Sequence, residues 1–211
     1  MKGNLIIISS PSGGGKGTLI KEVLRNVPQI GYSVSYTTRA ARAGEENGRD
    51  YFFVGADEFT RLIEAGEFLE YAEVHGNFYG TSVKQVLTEI GAGRDVILEI
   101  DVQGAENVRA KIPEAISIFI LPPSFAVLQA RLVARQTEKP ENLAVRLRNS
   151  IGEVRKFDRF EYVVVNDEKE TAAANLQSII LAERQKRNRQ TRRIQAILNS
   201  FEDPISNAFG E

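Results

Sequence analysis

The chain of 211 residues contains no cysteine and a single histidine. Without cysteine it can form neither a disulfide nor a reactive thiolate, and one lone histidine does not suffice for a zinc site. Apolar runs stay well below the roughly 20 residues of a transmembrane helix, and the N-terminus lacks a basic region leading into a signal-like segment with a cleavage site. These absences lead us to expect a cytoplasmic protein.

An excess of one charge is also missing, since 27 basic and 28 acidic residues leave a net charge of −1. Such a balance does not favour a nucleic-acid-binding protein. Six basic residues nevertheless crowd residues 184–193. We interpret them as the solvated face of a terminal helix, with an RNA contact as the alternative. The expected partners are therefore small molecules and not nucleic acid or a membrane, and the sequence leaves a monomer and a homo-oligomer open.

A glycine-rich turn follows the first apolar run of the chain. Residues 5–8 are typical of a buried strand, residues 9–18 read Ser-Ser-Pro-Ser-Gly-Gly-Gly-Lys-Gly-Thr, and helical spacing begins at residue 19. A strand, such a turn and a helix form the context of a phosphate-binding loop. We expect Gly13, Gly14 and Gly15 to take positive φ so that the backbone amides approach an anion, with Lys16 adding a charge. The alternative is a loop that only turns the chain.

The loop departs from the usual phosphate-loop pattern at two positions. Ser10 stands where the pattern has glycine, and Gly17 stands where it has serine or threonine. The hydroxyl of Thr18 comes one residue late. We therefore expect Thr18 to contact Mg²⁺ directly or through water.

Strands and helices alternate along most of the chain, which predicts an α/β fold with a doubly wound parallel sheet. Residues 32–36 are predicted to be one strand, Asp57 to be the N-cap of a helix, and one long helix to end the chain. Residues 35–81 are predicted to be a strand-rich insertion, and residues 136–141 a polar loop between two helices. Ligands bind at the carboxyl ends of parallel strands. Ser9, Asp101 and Asn166 fall at such ends.

Two groups of polar residues leave a choice of roles. Asp101 can hold a water molecule of Mg²⁺ beside the phosphate loop or can be a helix N-cap, and the sequence favours neither. Arg39 and Arg42, with Tyr51 on the next strand, can form a fork for a phosphate dianion. A solvated loop is the equal alternative for that segment.

Residues 37–54 match the pattern Thr-Thr-Arg-x-x-Arg-x-x-Glu-x-x-Gly-x-x-Tyr-x-Phe-Val. This pattern resembles the signature of the guanylate kinase family, in its bacterial form. The resemblance extends over roughly residues 3–182, including the phosphate loop, Glu70, residues 79–81, residues 101–104 and residues 164–167. It implies the phosphate-loop nucleoside monophosphate kinase fold and the transfer of a phosphoryl group from ATP to GMP, with dGMP as a further expected acceptor.

The resemblance also implies a division of the chain and of its residues. The core comprises residues 1–34, 82–124 and 158–211, a GMP-binding subdomain residues 35–81, and a lid residues 125–157. The implied GMP-binding residues are Ser35, Arg39, Arg42, Tyr51, Glu70, Tyr79, Thr81 and Asp101. The implied ATP-binding residues are Ser12, Gly13, Gly14, Gly15, Lys16, Gly17, Thr18, Arg131, Arg135 and Asn166. The implied catalytic residues are Lys16, Arg39, Arg135 and Arg146, with Mg²⁺ held at Thr18 and Asp101, directly or through water.

Elementary chemistry supports the preference for guanine. A carboxylate such as Glu70 accepts hydrogen bonds from N1–H and N2–H₂ of guanine, whereas adenine presents a lone pair at N1. Hydroxyls of Ser35 and Thr81 can donate to O6. Two other functions remain as alternatives: a non-catalytic protein-binding module of the same fold, and a phosphate-loop kinase for another small substrate. The module would be expected to lose Lys16 or the arginines, and Glu70 argues against the other kinase.

Overall fold

The computed structural model describes residues 2–74, 76–134 and 140–201, without the side chains of residues 140–142. Five parallel strands form the main sheet in the order β2-β7-β1-β8-β9. These strands are β1 (Leu5–Ser9), β2 (Ile30–Tyr32), β7 (Asp95–Glu99), β8 (Ile116–Leu121) and β9 (Tyr162–Val165). The central position of β1 explains why all five of its residues are buried and why the first four of them form an unbroken apolar run.

Helices cover both faces of the main sheet, as the alternation predicts. Ile6 and Ile8 face one core with helices α1 and α7, whereas Leu5 and Ile7 face the other with α3 and α4. Successive residues of β1 thus serve opposite cores. The helices are α1 (Lys16–Asn26), α3 (Val83–Gly91), α4 (Val102–Lys111) and α7 (Lys169–Arg184).

A second, four-stranded sheet contains most of the predicted insertion, in the order β4-β3-β6-β5. Its strands are β3 (Tyr36–Thr37), β4 (Phe52–Phe53), β5 (Phe68–Val74) and β6 (Asn77–Ser82), and helix α2 (Ala56–Glu64) packs against it. Aromatic rings hold it together: the ring centroids of Phe59 and Phe68 lie 4.7 Å apart and those of Tyr36 and Phe52 4.8 Å apart.

The remaining helices are α5 (Phe125–Ala134), α6 (Pro140–Val154) and α8 (Thr191–Asn199), with short 3₁₀ segments at Phe157–Arg159 and Arg187–Arg189. Most of the predicted loop at 136–141 lies outside the described residues. No helix in the described ranges has the length and apolarity that a membrane crossing requires.

The prediction of one strand at residues 32–36 is wrong. Tyr32 ends β2 in the main sheet, and Tyr36 begins β3 in the second sheet. Between them, the Ser33 amide still donates to the Ile97 carbonyl of the main sheet, while the Ser35 carbonyl accepts from Phe52 of the second. Alternating side chains indicate that every second residue is buried, but they do not indicate which sheet buries it.

Two helix predictions are also wrong. Gly55 is the N-cap of α2, and Asp57 lies in the first turn, where its charge is still favourable toward the positive end of the helix. The terminal helix is interrupted after Arg184, because the side-chain amide of Gln190 donates to the Arg184 carbonyl at 2.8 Å and satisfies that helix end.

Candidate active site

The phosphate loop joins β1 to α1. Gly13 and Gly15 have φ of 86° and 88°, as expected, but Gly14 does not have a positive φ, so that expectation is wrong for Gly14. At Gly14 the limit is space, because a Cβ there would lie 2.9 Å from Cβ of Ser10. At Gly15 a Cβ would lie 2.2 Å from Nδ2 of Asn166. Glycine is therefore required at Gly13 and Gly15 by the positive φ of the turn, and at Gly14 and Gly15 by the lack of space for a Cβ atom.

Lys16 is the first residue of α1, and its ammonium group lies at the carboxyl end of β7. Nζ donates to the Ile100 carbonyl at 3.2 Å and lies 3.9 Å from Oε1 of Glu99. The Tyr32 hydroxyl donates to Oε2 of Glu99 at 3.2 Å. Burial, aided by the nearby charge of Glu99, raises the pKa of Tyr32, so the phenol stays protonated and a donor.

The sequence analysis did not predict Glu99 as a site residue. It considered only Asp101, two residues later, as the functional carboxylate at the end of this strand. A signal was available: Glu99 is the last residue of a buried strand, and it pairs in register with Ile8 of the strand that leads into the phosphate loop. A carboxylate at that place is a typical partner for a phosphate-bound cation.

Glu70 is a buried acid on β5, with 5% of its surface exposed. The Thr81 hydroxyl donates to its Oε1 at 2.5 Å across the β5–β6 pair. Burial raises the pKa of Glu70 to about 7, with a further contribution from the charge of Asp101 and against the lowering effect of the Thr81 hydrogen bond. The second oxygen, Oε2, lies where a side chain of residue 104 would be, since a Cβ on Gly104 would approach it to 2.8 Å.

Asp101 has the N-cap role that the sequence left open. Its Oδ1 accepts from the Gly104 amide at 2.8 Å and caps α4. The same side chain lines the cavity beside Glu70.

Arg39 is fixed on both sides of its guanidinium. Nη2 donates to both carboxylate oxygens of Glu45 at 2.9 Å, and the guanidinium carbon lies 5.2 Å from the centroid of the Tyr51 ring. Burial works to raise the pKa of Glu45, but the hydrogen bonds from the Arg42 amide and from Arg39 outweigh it and lower this pKa overall. Glu45 therefore stays charged and holds Arg39 in place.

Two cavities meet at Lys16 and Glu99. The first, of about 200 Å³, lies between the two sheets, and the second, of about 150 Å³, lies within the phosphate loop beneath Arg146. Lys16 and Glu99 line both. The first is also lined by Tyr32, Ser35, Tyr51, Glu70, Tyr79 and Asp101. The arrangement suits two phosphate-bearing ligands that approach each other end to end.

Helix α6 is bonded to the tip of the phosphate loop at Ser12. Nη2 of Arg146 donates to the Ser12 hydroxyl at 2.6 Å, and the Ser150 hydroxyl donates to the Ser12 carbonyl at 3.3 Å. The Ser12 amide donates to Oε2 of Glu153 at 3.0 Å. The backbone amide, the carbonyl and the hydroxyl of Ser12 thus each have a partner on α6, and no local sequence pattern predicts these contacts.

Helix α5 contacts the other side of the loop. Nη2 of Arg131 donates to the Asn166 carbonyl at 3.0 Å, and Nδ2 of Asn166 donates to the Gly14 carbonyl at 2.8 Å. The predicted residues Arg131, Arg146 and Asn166 therefore come together at the loop. Arg135 lies outside the described residues.

Two predicted site residues stand apart from the rest. Thr18 is exposed and lines neither cavity, and the Arg42 side chain is exposed while its amide bonds to Glu45. Within the described parts of the chain, no three carboxylate or imidazole side chains cluster closely enough to hold a metal ion by themselves. A Mg²⁺ ion here would need phosphate oxygens and water as most of its ligands, which is its usual preference.

Comparison with known proteins gives one consistent result. The family model described as guanylate kinase matches residues 2–183. A guanylate kinase from Dechloromonas aromatica is 48% identical over 182 residues, covering 86% of this chain and 90% of that protein. One from Thermotoga maritima is 46% identical over 195 residues, covering 92% and 94%. The crystal structure of guanylate kinase from Anaplasma phagocytophilum has a TM-score of 0.73 and 36% identity, covering 89% of each chain.

Proposed function

The chain belongs to the guanylate kinase family and transfers a phosphoryl group from ATP to GMP, and from this premise we propose the part that each site residue plays. Two non-overlapping roles are assigned to the two cavities. The cavity between the sheets receives GMP, and the cavity within the phosphate loop receives the phosphates of ATP.

Glu70 reads the guanine base. Its carboxylate accepts from N1–H and N2–H₂. The charge of Lys111 acts to lower the pKa of Glu70, but the Nζ of Lys111 donates to the Leu69 carbonyl. Thr81 and Gly104 position this carboxylate, one by a hydrogen bond and the other by leaving room. Ser35, in the same cavity, donates to O6 of guanine. Asp101 lines the same cavity and accepts from the amino group N2–H₂.

Arg39, Arg42, Tyr51 and Tyr79 bind the phosphate of GMP. Arg39 is already held by Glu45 and by the Tyr51 ring, so little side-chain freedom is lost when the phosphate arrives. The ring centroids of Tyr51 and Tyr79 lie 5.9 Å apart, which places two phenols at one end of the cavity. Arg42, now exposed, has the reach of a long side chain and turns inward onto the same phosphate.

The phosphate loop, Lys16, Arg131, Arg135, Arg146 and Asn166 bind ATP. Lys16 lines both cavities and therefore stays beside the phosphoryl group as it moves from donor to acceptor. The phosphate of GMP is largely a dianion at neutral pH, so no side chain needs to remove a proton from it. The residues supply positioning and positive charge, which is how this class of reaction is accelerated.

Glu99 fits a Mg²⁺ site in the phosphate loop. The space beyond Gly17 faces its carboxylate, since a Cβ at Gly17 would lie 3.8 Å from Oε1. Glu99 thus occupies the side of the loop where a hydroxyl at residue 17 is usual, and it would hold a water molecule of the ion, with Thr18 and Asp101 as the other expected contacts. When bound, Mg²⁺ would neutralise charge on the phosphate oxygens of ATP.

The same assignment divides the chain by role. Residues 35–81 form the GMP-binding subdomain, residues 125–157 the lid, and residues 1–34, 82–124 and 158–211 the core. Closure of the lid over ATP would exclude water, which otherwise competes with GMP for the phosphoryl group. ATP and GMP are cytoplasmic metabolites, and purine nucleotide metabolism in the cytoplasm is the setting we infer.

The observation that carries this assignment is the buried Glu70 in a cavity that shares Lys16 and Glu99 with the phosphate loop. The test is a coupled ADP-release assay with ATP and a panel of GMP, dGMP, AMP, CMP and UMP. We expect kcat/KM for GMP to exceed that for AMP by at least about 100-fold. Comparable values for GMP and AMP would refute the role of Glu70, and a Lys16→Ala preparation controls for contaminating kinases.

A further inference from the structure

A third cavity, separate from the two at Lys16, lies at the opposite end of the main sheet from the phosphate loop and has a polar lining. Its volume is about 360 Å³, and it is lined by Asn4 and Asp95, which precede or begin β1 and β7, and by residues of the segment after α7. The phosphate loop leaves β1 at its other end, about 16 Å away for a strand of five residues. The cavity is therefore separate from both substrate sites.

Four basic side chains surround this cavity, and one acid is among them. Arg184 is bound to that acid, since its Nε donates to Oδ2 of Asp95 at 2.7 Å. For Lys2, Arg189 and Arg193, no carboxylate of residues 2–74, 76–134 or 143–201 lies within ion-pair distance. Three positive charges thus face one small volume without a matching negative charge among the described side chains.

Asn4 adds a second and independent sign of a ligand. Its side chain is 3% exposed and lines the cavity, and its Oδ1 has no hydrogen-bond partner among the described residues. A buried amide without a partner is costly. The two ends of an amide have nearly the same shape, so a half-turn would present the NH₂ group as a donor to an anion in the cavity.

The backbone at the rim is strained. Gln29 has a φ of 54°, and it is the one non-glycine residue of the described chain with a positive φ. This conformation aims the Gln29 carbonyl at the Asp95 amide and at Arg184, and so helps to fix the wall of the cavity. Strain of this kind persists where the surrounding structure requires it, often at ligand sites.

We propose that this cavity is a second binding site, for a polyphosphate chain. Three cations without a carboxylate partner among the described side chains offset most of the negative charge of a triphosphate chain, and the volume is at the low end of that of small-molecule pockets. The shared chemistry could come from inorganic polyphosphate or from a nucleoside triphosphate whose base contacts the amides of Gln185 and Gln190 at the rim. Arg184, Arg189 and Arg193 lie beyond residue 183, where the match to the family model ends, so the site is an addition to the proposed GMP kinase function.

The test is isothermal titration of the full chain with inorganic tripolyphosphate at 150 mM salt. We expect the wild type to bind at two sites, the phosphate loop and this cavity. Lys16→Ala should weaken the first and leave the second, while the double variant Arg189→Ala/Arg193→Ala should weaken the second by at least about 10-fold and leave the first. Lys2→Ala, a change at an exposed side chain, should weaken it by a smaller factor of about 3 to 10.

The matched control is Arg187→Ala/Arg192→Ala, which removes the same charge from basic residues that do not line the cavity. Equal weakening by both double variants would overturn the proposal in favour of general attraction to a basic surface, and so would the absence of a remaining site in Lys16→Ala. Titration of Lys16→Ala with GTP and ATP then identifies the source. Affinities equal to that of tripolyphosphate support an inorganic chain, and tighter binding that Arg189→Ala/Arg193→Ala abolishes supports a nucleotide.

Discussion

The two regions that flank the phosphate loop are built in opposite ways. On the GMP side, aromatic rings pack within the second sheet, and Glu70 and Thr37 are buried beneath the surface. On the ATP side, α6 reaches the loop through polar contacts to Ser12, while its apolar residues Val145 and Ile151 are about half exposed. We therefore expect the base-binding part of the proposed GMP side to be arranged before substrate binds, whereas the contacts on the proposed ATP side can be exchanged for contacts to ATP.

This difference assigns selectivity to the rigid side and movement to the other. A carboxylate can discriminate between bases only if it cannot adjust to the wrong one, and burial among packed rings prevents adjustment. Hydrogen bonds between a loop and a lid cost little to exchange, because the incoming phosphates offer equivalent acceptors.

The largest effect is expected at Lys16, which belongs to both sides. Lys16→Ala should lower kcat by about 100-fold or more, because it removes the charge that lies in both cavities. Steady-state assays with both substrates saturating measure this. Lys21→Ala, an exposed lysine of the same helix, is the control and should leave kcat within about 2-fold. A Lys16→Ala enzyme as fast as this control would remove the loop from the mechanism.

Substitution of Glu70 should lower the selectivity for GMP over AMP in the cavity between the two sheets. Glu70→Gln replaces one acceptor oxygen by a donor that faces a donor of guanine, and the ratio of kcat/KM for GMP over AMP should fall by about 100-fold. The measurement is made at pH 8, where the wild-type acid is ionised. Glu73→Gln, an exposed acid on the same strand, should keep the ratio, and an unchanged ratio in Glu70→Gln would show that Glu70 does not read the base.

Dependence on pH should sharpen the comparison, because only the GMP side contains the raised pKa of about 7 at Glu70. Below pH 7 the free enzyme carries a protonated Glu70, which lacks the second acceptor that guanine requires. KM for GMP should therefore fall by about 10-fold between pH 6 and pH 8.

Two controls separate this effect from other ionisations. KM for ATP should show no comparable change, and Glu70→Gln should retain only the shallow dependence due to the GMP phosphate, whose second pKa is near 6. A wild-type profile identical to that of Glu70→Gln would contradict the assignment.

The Mg²⁺ requirement should depend on Glu99 more than on Thr18. Glu99→Gln should raise the Mg²⁺ concentration for half-maximal rate by about 5-fold or more, since it removes the carboxylate beside the loop. Thr18→Val should raise it by about 2-fold, because Thr18 is exposed. Titrations at fixed ATP compare the two variants, and a larger effect of Thr18→Val would return the metal contact to the residue predicted from the sequence.

The smallest effect is expected where α6 contacts Ser12, on the proposed ATP side of the phosphate loop. Glu153→Gln weakens the bond to the Ser12 amide and removes a negative charge near the ATP phosphates, so KM for ATP should fall by about 3-fold, as befits a partly exposed charge. Glu170→Gln, an exposed acid of α7, is the control. A rise in KM for ATP would mean that Glu153 helps to bind ATP and does not compete with it.

The same contrast explains which parts could be predicted from the sequence. The residues proposed to bind GMP, except Asp101, lie within one short stretch, residues 35–81, so local spacing and the resemblance were sufficient to propose them. The contact between Ser12 and Glu153 joins residues 141 positions apart, and although Ser12 belongs to the phosphate-loop pattern, that pattern does not indicate a partner at residue 153. The position of Glu99 at the end of a strand could be predicted from the sequence. Its role depends on β7 lying beside β1, and the sequence pattern does not indicate which strands are neighbours.

Local patterns also failed where two structures satisfy the same pattern. Residues 32–36 alternate correctly, yet they serve two sheets, and the terminal helix pattern continues past Arg184 although a side chain of Gln190 ends the helix there. In the first case the deciding interactions are backbone hydrogen bonds to Ile97 and Phe52, and in the second it is a side-chain hydrogen bond only six residues along the chain. Neither changes the hydrophobic periodicity.

The Glu70 carboxylate occupies the space that a side chain at residue 104 would need, and this constrains how a new base preference could arise by mutation. A methyl group at residue 104 would approach the Glu70 carboxylate to 2.8 Å, so the two positions do not vary independently. A shorter acid at position 70 would leave an empty space above Gly104, whereas a side chain at position 104 would displace the acid now present. Substitutions at 70 and 104 should therefore be strongly non-additive, with a coupling of about 0.5–3 kcal/mol in a double-mutant cycle, so the effect of a substitution at residue 70 on base preference should depend on the side chain at residue 104.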